Sequence, residues 1–114
     1  MDKDPKIFLT HILDSIALVE EYTAGKTKEN FLHAVEFQDR VIHRIEIIGE
    51  ATKNLSDILK NRYPDIPWRK IASMRDRIIH EYFCIDFVLT WDTVIQDLPK
   101  LKRQILAVKK DLEK

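Results

Sequence analysis

Within Arg75-Asp76-Arg77-Ile78-Ile79-His80-Glu81-Tyr82 the chain brings together a guanidinium, a carboxylate, an imidazole and a phenol. At about 100° of rotation per residue, Trp68, Ile71, Ala72, Arg75, Ile78, Ile79 and Tyr82 fall on one side of a helix. Periodicity therefore gives Arg75 a place otherwise reserved for apolar residues. A lone charge buried there costs on the order of several kcal/mol, so the guanidinium needs an anion. That anion is either Glu46 or Glu50 of another helix, giving a buried ion pair, or the phosphate of a ligand. Asp76 lies one turn before His80, where a carboxylate orients an imidazole and raises its pKa. This is what a general acid or base needs near neutral pH. The alternative for His80 is a capping or packing residue near a helix end. Tyr82 is otherwise a half-buried aromatic with a wet hydroxyl.

The surrounding charge is lopsided. Lys60, Arg62, Arg69, Lys70, Arg75 and Arg77 oppose only Asp65, Asp76 and Glu81, although the whole chain balances 19 Lys and Arg against 19 Asp and Glu. A neutral total argues against a non-specific DNA-coating protein and leaves room for a local basic site. Arg69, Lys70 and Arg77 are either a solvated helix face or contacts for a polyanion. Other chemistry finds little support. His11, His33 and His43 lack companions at metal-ligand spacing, His80-Glu81 is not followed by the second histidine of a zinc-protease helix, and no glycine-rich phosphate loop occurs. Neither metal nor cofactor is expected. Asp39, His43, Glu46 and Glu50 share a face that is either an acidic inner wall or solvated surface.

The elements that must position these groups are helical. Two glycines and four prolines in 114 residues, with abundant Leu, Ile, Glu and Lys, predict an all-α protein forming one domain over residues 1–114. Asp4 is an N-cap and Pro5 a first helical residue; Phe8, Leu9, Ile12, Ile16 and Val19 follow at helical spacing until Gly25. Thr27 caps a short turn through Phe31. A long helix over about 34–55 carries Ala34, Phe37, Val41, Ile45, Ile48, Thr52 and Leu55 inward, and Gly49 beside that stripe predicts a close helix–helix approach. Ser56 caps a further turn, and Pro64-Asp65-Ile66-Pro67 breaks the chain. The motif helix is expected from Pro67 to Glu81. Phe83-Cys84-Ile85 is a connector with Cys84 buried, and Asp86 caps a last helix bearing Trp91, Val94, Ile95, Leu98, Leu101, Ile105, Val108 and Leu112, which Pro99 kinks or restarts. Trp68 and Trp91 belong to the core. The result is an antiparallel bundle of about four main helices plus short turns. A single cysteine, no apolar run of membrane-spanning length and no signal-peptide core predict a soluble cytoplasmic protein.

Arg75, His80 and Tyr82 in the order Arg-x-x-x-x-His-x-Tyr resemble the signature of HEPN-domain proteins of the HepT type, the toxin halves of HepT–MntA toxin–antitoxin pairs. The resemblance extends to Arg62-Tyr63-Pro64-Asp65-Ile66-Pro67-Trp68-Arg69-Lys70-Ile71, to Ile45-Glu46-Ile47-Ile48-Gly49-Glu50-Ala51 and to Asp97-Leu98-Pro99, and so covers nearly the whole chain. It implies a HEPN-like homodimer whose motif helices line a shared cleft, and metal-independent cleavage of single-stranded RNA. Arg75 and His80 would be catalytic, Asp76 would support them, and Arg69, Lys70 and Arg77 would contact RNA. It also implies a nucleotidyltransferase antitoxin of the MntA kind that transfers AMP to Tyr82. A different outcome is a non-catalytic module whose cleft docks a nucleotide or such a transferase, and a third is an assembly surface in which Glu46 or Glu50 neutralises Arg75.

Overall fold

Helix α1, Pro5–Thr23, starts where its cap dictates: the Asp4 carboxylate accepts from Lys6 N at 2.9 Å and Pro5 occupies the first turn. In the computed structural model, which describes residues 4–81 and 84–114 and only the backbone of His80 and Glu81, the chain is almost wholly helical. Gly25, at φ 71°, supplies the left-handed turn after α1 that a side chain would resist. Thr27 and Asn30 then cap α2, Lys28–Leu32, reciprocally. Helix α3, Val35–Lys53, follows. Ser56 caps α4, Asp57–Arg62, by accepting from Leu59 N at 3.2 Å.

Apolar spacing decides how these pieces pack. Leu9, Ile12, Ile16 and Val19 of α1 meet Val41, Ile45 and Ile48 of α3, and all are sealed from solvent. The last third of the chain completes this core. Asp86 caps α7, Phe87–Asp92, and after a π-helical segment, Thr93–Asp97, the chain continues as α8, Leu98–Leu112. Leu98, Leu101, Ile105 and Val108 face inward, and α8 lies along α1. Burying one such side chain contributes about 1.5–3 kcal/mol. The expected restart at Pro99 takes the form of that π segment, in which Leu98 N donates to Thr93 O five residues back. The wider turn gives the proline ring room that a regular helix denies it.

The motif helix expected from Pro67 to Glu81 is not continuous. It divides into α5, Trp68–Ala72, and α6, Met74–Ile78, and the chain then extends as β1, Ile79–Glu81, pairing antiparallel with β2, Cys84–Ile85. Ser73 makes the first break. Its hydroxyl donates to Arg69 O at 2.8 Å, and its ψ of 12° is far from the helical value. At the second break Ile79 is extended, a state that suits a β-branched residue, and Asp86 N donates to Ile78 O at 2.8 Å to close the hairpin. The connector expected at Phe83-Cys84-Ile85 is therefore a strand from Cys84 onward, and Phe83 lies outside the described residues. Cys84 is exposed rather than buried, because a two-residue edge strand leaves it outside the core. Trp68 and Trp91 do join the core, and Trp68 Nε1 donates to the carbonyls of Lys60 and Tyr63.

Two contacts fix the motif segment and the far end of α8. A Cβ built on Gly49 would stand 3.0 Å from the Ala72 carbonyl oxygen, so α3 and α5 touch backbone to backbone, as the glycine predicted. At the other end Tyr63 donates to Asp111, and that hydrogen bond together with the nearby carboxylate raises the tyrosine pKa above its ordinary value of 10.0. A Gly49→Val variant is expected to lose about 1–3 kcal/mol of stability through overpacking, read from urea unfolding; an unchanged midpoint would contradict the close approach. For Tyr63, a folded-state pKa above the unfolded one means that the contribution is complete below pH 10 and disappears as pH rises through the folded pKa. Tyr63→Phe should accordingly flatten the alkaline limb of the stability–pH curve measured by urea unfolding.

Candidate active site

The break at Ser73 resets which residues of the motif face inward. Met74 and Ile78, four apart on α6, are buried at 2% and 1% exposure, so Met74 takes the place that continuous periodicity gives to Arg75. Arg75 instead stands at the solvent boundary with its side chain 48% exposed. The expectation of a cation buried in an apolar stripe is thus corrected. A one-residue interruption rotated it outward, and no large desolvation penalty arises.

Arg75 retains an anionic neighbour, one of the two foreseen. Its Nε lies 3.7 Å from Glu46 Oε1 on α3, and one terminal nitrogen lies 3.9 Å from Asp76 Oδ1. Both separations exceed hydrogen-bond length. The carboxylates therefore hold the guanidinium by charge, and among the described residues its donors are uncommitted. Glu50 faces Lys53 instead, at 3.4 Å. The pairing with Glu46 follows from the Gly49–Ala72 contact, since Glu46 and Arg75 each lie three residues beyond it, in opposite chain directions along α3 and the motif.

Beside Glu46 a shallow groove runs between α1 and α3. His43, Glu46 and Glu50 line it from α3, and Phe8 and His11 from α1, with the two rings edge to face at 6.4 Å. His43 and Glu50 are exposed, so this face is solvated surface and not an inner wall. The juxtaposition with Phe8 and His11 was invisible in sequence because it lies between elements. Among the described residues no cluster of three or more His, Cys, Asp or Glu is arranged to hold a metal ion.

The remaining candidates divide by flank. Asp76, Arg69 and Lys70 are exposed. Arg77 is half-buried and turns to the side opposite Arg75, lining a cavity shared with Lys70 and with Asp97, Lys100 and Gln104 near the start of α8. That contribution from α8 escaped the sequence analysis; the cation at Lys100 just after Pro99 was its only sign. The backbone of His80 belongs to β1, not to a helix shared with Asp76. The side chain of His80, and all of Tyr82, lie outside the described residues. No helix among the described residues is long and apolar enough to cross a membrane.

Comparison with known proteins identifies a family. A family described as Ribonuclease HepT-like matches residues 12–108. A Methanocaldococcus jannaschii protein named "Gamma-glutamylcyclotransferase and putative RNase" is 52% identical over the full 114 residues, and the chain spans only 51% of that relative's length. A Thermococcus cleftensis protein named "Probable ribonuclease HepT" is 42% identical over 110 residues, covering 96% of this chain and 100% of that one. A Caldanaerobacter subterraneus protein named "Putative RNase" is 36% identical over 106 residues, 93% of this chain and 95% of the relative. No solved structure matches the chain.

Because Arg75 is half-exposed and its ion pairs are screened, they contribute roughly 0–1 kcal/mol. Arg75→Ala is expected to shift the unfolding free energy by less than about 1 kcal/mol in chemical denaturation. A loss of several kcal/mol would mean that the guanidinium is a structural residue.

Proposed function

The chain belongs to the HepT-like ribonuclease family, and from that premise we propose that it is an endoribonuclease that cuts single-stranded RNA without a metal ion. The observation that carries this reading is Arg75: a half-exposed guanidinium whose donors are uncommitted among the described residues, five residues before a histidine. Attack of a ribose 2′-hydroxyl on the adjacent phosphorus breaks the bond to the 5′-oxygen and leaves a 2′,3′-cyclic phosphate and a free 5′-hydroxyl. His80 takes the 2′-hydroxyl proton or delivers one to the leaving oxygen. Arg75 offers its donors to the charge that builds on the pentavalent phosphorane, and Asp76 steadies the pair. A homodimer pools two basic segments along one groove, which reconciles RNA binding with a neutral chain. Arg69, Lys70 and Arg77 supply phosphate contacts on the flanks of the motif.

The same site offers a means of control. Transfer of AMP to the Tyr82 hydroxyl by a nucleotidyltransferase antitoxin of the MntA kind, with release of pyrophosphate from ATP, sets bulk and negative charge near the catalytic pair. Such a modification competes for the arginine and fills the groove. The protein would then be the toxin of a toxin–antitoxin pair acting in the cytoplasm.

Purified protein is expected to cleave single-stranded RNA in EDTA, to spare the same strand carrying 2′-deoxy sugars, and to lose at least about 100-fold in rate on His80→Ala. Intact RNA with protein whose Tyr82 is shown unmodified by mass spectrometry would overturn the proposal. Strand binding that is lost in Arg75→Ala and unaltered in His80→Ala, with no cleavage by the wild type, would identify a binding module instead.

A further inference from the structure

The cavity on the far flank of the motif, between α5, α6 and the start of α8, measures ≈ 80 Å³ and is lined by cations from three separate elements, Lys70, Arg77 and Lys100. Asp97 is the one carboxylate of its wall, and Gln104 adds an amide. The floor is dry, with Met74 and Leu101 at 2% and 3% exposure. Among the described residues neither these cations nor Asp97 take part in a salt bridge. Lys102, two positions along α8, shows the contrast by reaching Glu20 at 3.0 Å. Arg77 is half-buried, and its Nε lacks a hydrogen-bond partner among the described residues, as does Arg44 Nε on α3.

We propose that this cavity is a second anion subsite, built to receive a phosphate group. Three cations against one acid leave a net double positive charge beside low-dielectric walls, which suits a phosphate better than a carboxylate. An arginine, two flexible ammonium groups and an amide can donate to a tetrahedral oxyanion from several directions. Arg75 and Arg77 lie about 200° apart around α6, so the subsite sits across the motif from the proposed catalytic cation, and a strand crossing α6 meets both. The proposal rests on the ribonuclease reading only for the source of the phosphate, which is either the backbone of a bound strand or a free mononucleotide.

Binding to the full-length protein separates these sources, with a 2′-O-methyl RNA oligomer that cannot be cut, AMP, and inorganic phosphate as the probes. Lys100→Glu is expected to weaken the oligomer about tenfold and to lower the slope of log affinity against log salt by about 1. Asp97→Asn is expected to tighten binding several-fold, an opposite sign that loss of packing would not produce. In the wild type, phosphate should shift the Gln104 side-chain amide resonances, and Lys100→Glu should abolish that shift. A Lys100 effect confined to the oligomer assigns the subsite to the strand, whereas AMP binding that depends on Lys100 and competes with the oligomer assigns it to a nucleotide. Unchanged affinity for all three probes in Lys100→Glu would overturn the proposal. A wild type that cuts no RNA and still binds them through Lys100 would remove the ribonuclease reading and keep the subsite.

Discussion

Everything around the motif depends on one close contact, where α3 and α5 approach until the Gly49 α-carbon lies against the Ala72 carbonyl. Any side chain at position 49 would push the two helices apart. From this point Glu46 and Arg75 diverge by the same number of residues and meet within ion-pair range. The contact also sets the entry to Ser73, whose hydroxyl turns back on Arg69 O and ends α5. The break rotates α6 so that its apolar pair, Met74 and Ile78, closes the core while its arginines point to opposite flanks. A missing side chain thus determines where charge appears.

Much of this was legible from residue types because the signals were local. Asp4, Thr27, Ser56 and Asp86 each cap the helix that follows them, since a short side-chain acceptor beside free amide donors requires no tertiary help. Gly25 and the two prolines around Ile66 mark the turns, and the stripes of α1, α3 and α8 face the core they form. The long motif helix failed because amphipathic spacing alone does not register a one-residue break. A serine that donates to the preceding turn is not distinguishable, in sequence, from one that faces water. The short β1–β2 ladder was hidden for a similar reason: Ile78 and Ile79 fit helix or strand equally, and a partner several residues away decides.

The site shows the same division. Arg75 was found through its type and position, but its surroundings were misjudged, and the change alters the chemistry assigned to it. A buried arginine would need a permanent counter-ion. A half-exposed one, with Glu46 and Asp76 beyond hydrogen-bond length, can exchange those carboxylates for a phosphate at modest cost. The basic flank was only half visible, because Lys70 and Arg77 lie in the motif segment while Lys100 and Asp97 arrive from nearly the end of the chain. Family membership supplies what spacing cannot, a ribonuclease reaction in which the motif can be tested.

The π segment before Pro99 has a bearing on the whole last third of the molecule. A π turn holds one more residue than the helix around it, so it acts as an angular spacer between α7 and α8. Trp91 ahead of it, Val94 within it and Leu98, Leu101 and Ile105 behind it all face inward because of that extra residue. The number of residues between Asp92 and Leu98 is therefore a setting of azimuth: removing one would swing Leu101 and Ile105 off the core and carry Lys100 and Gln104 around with them.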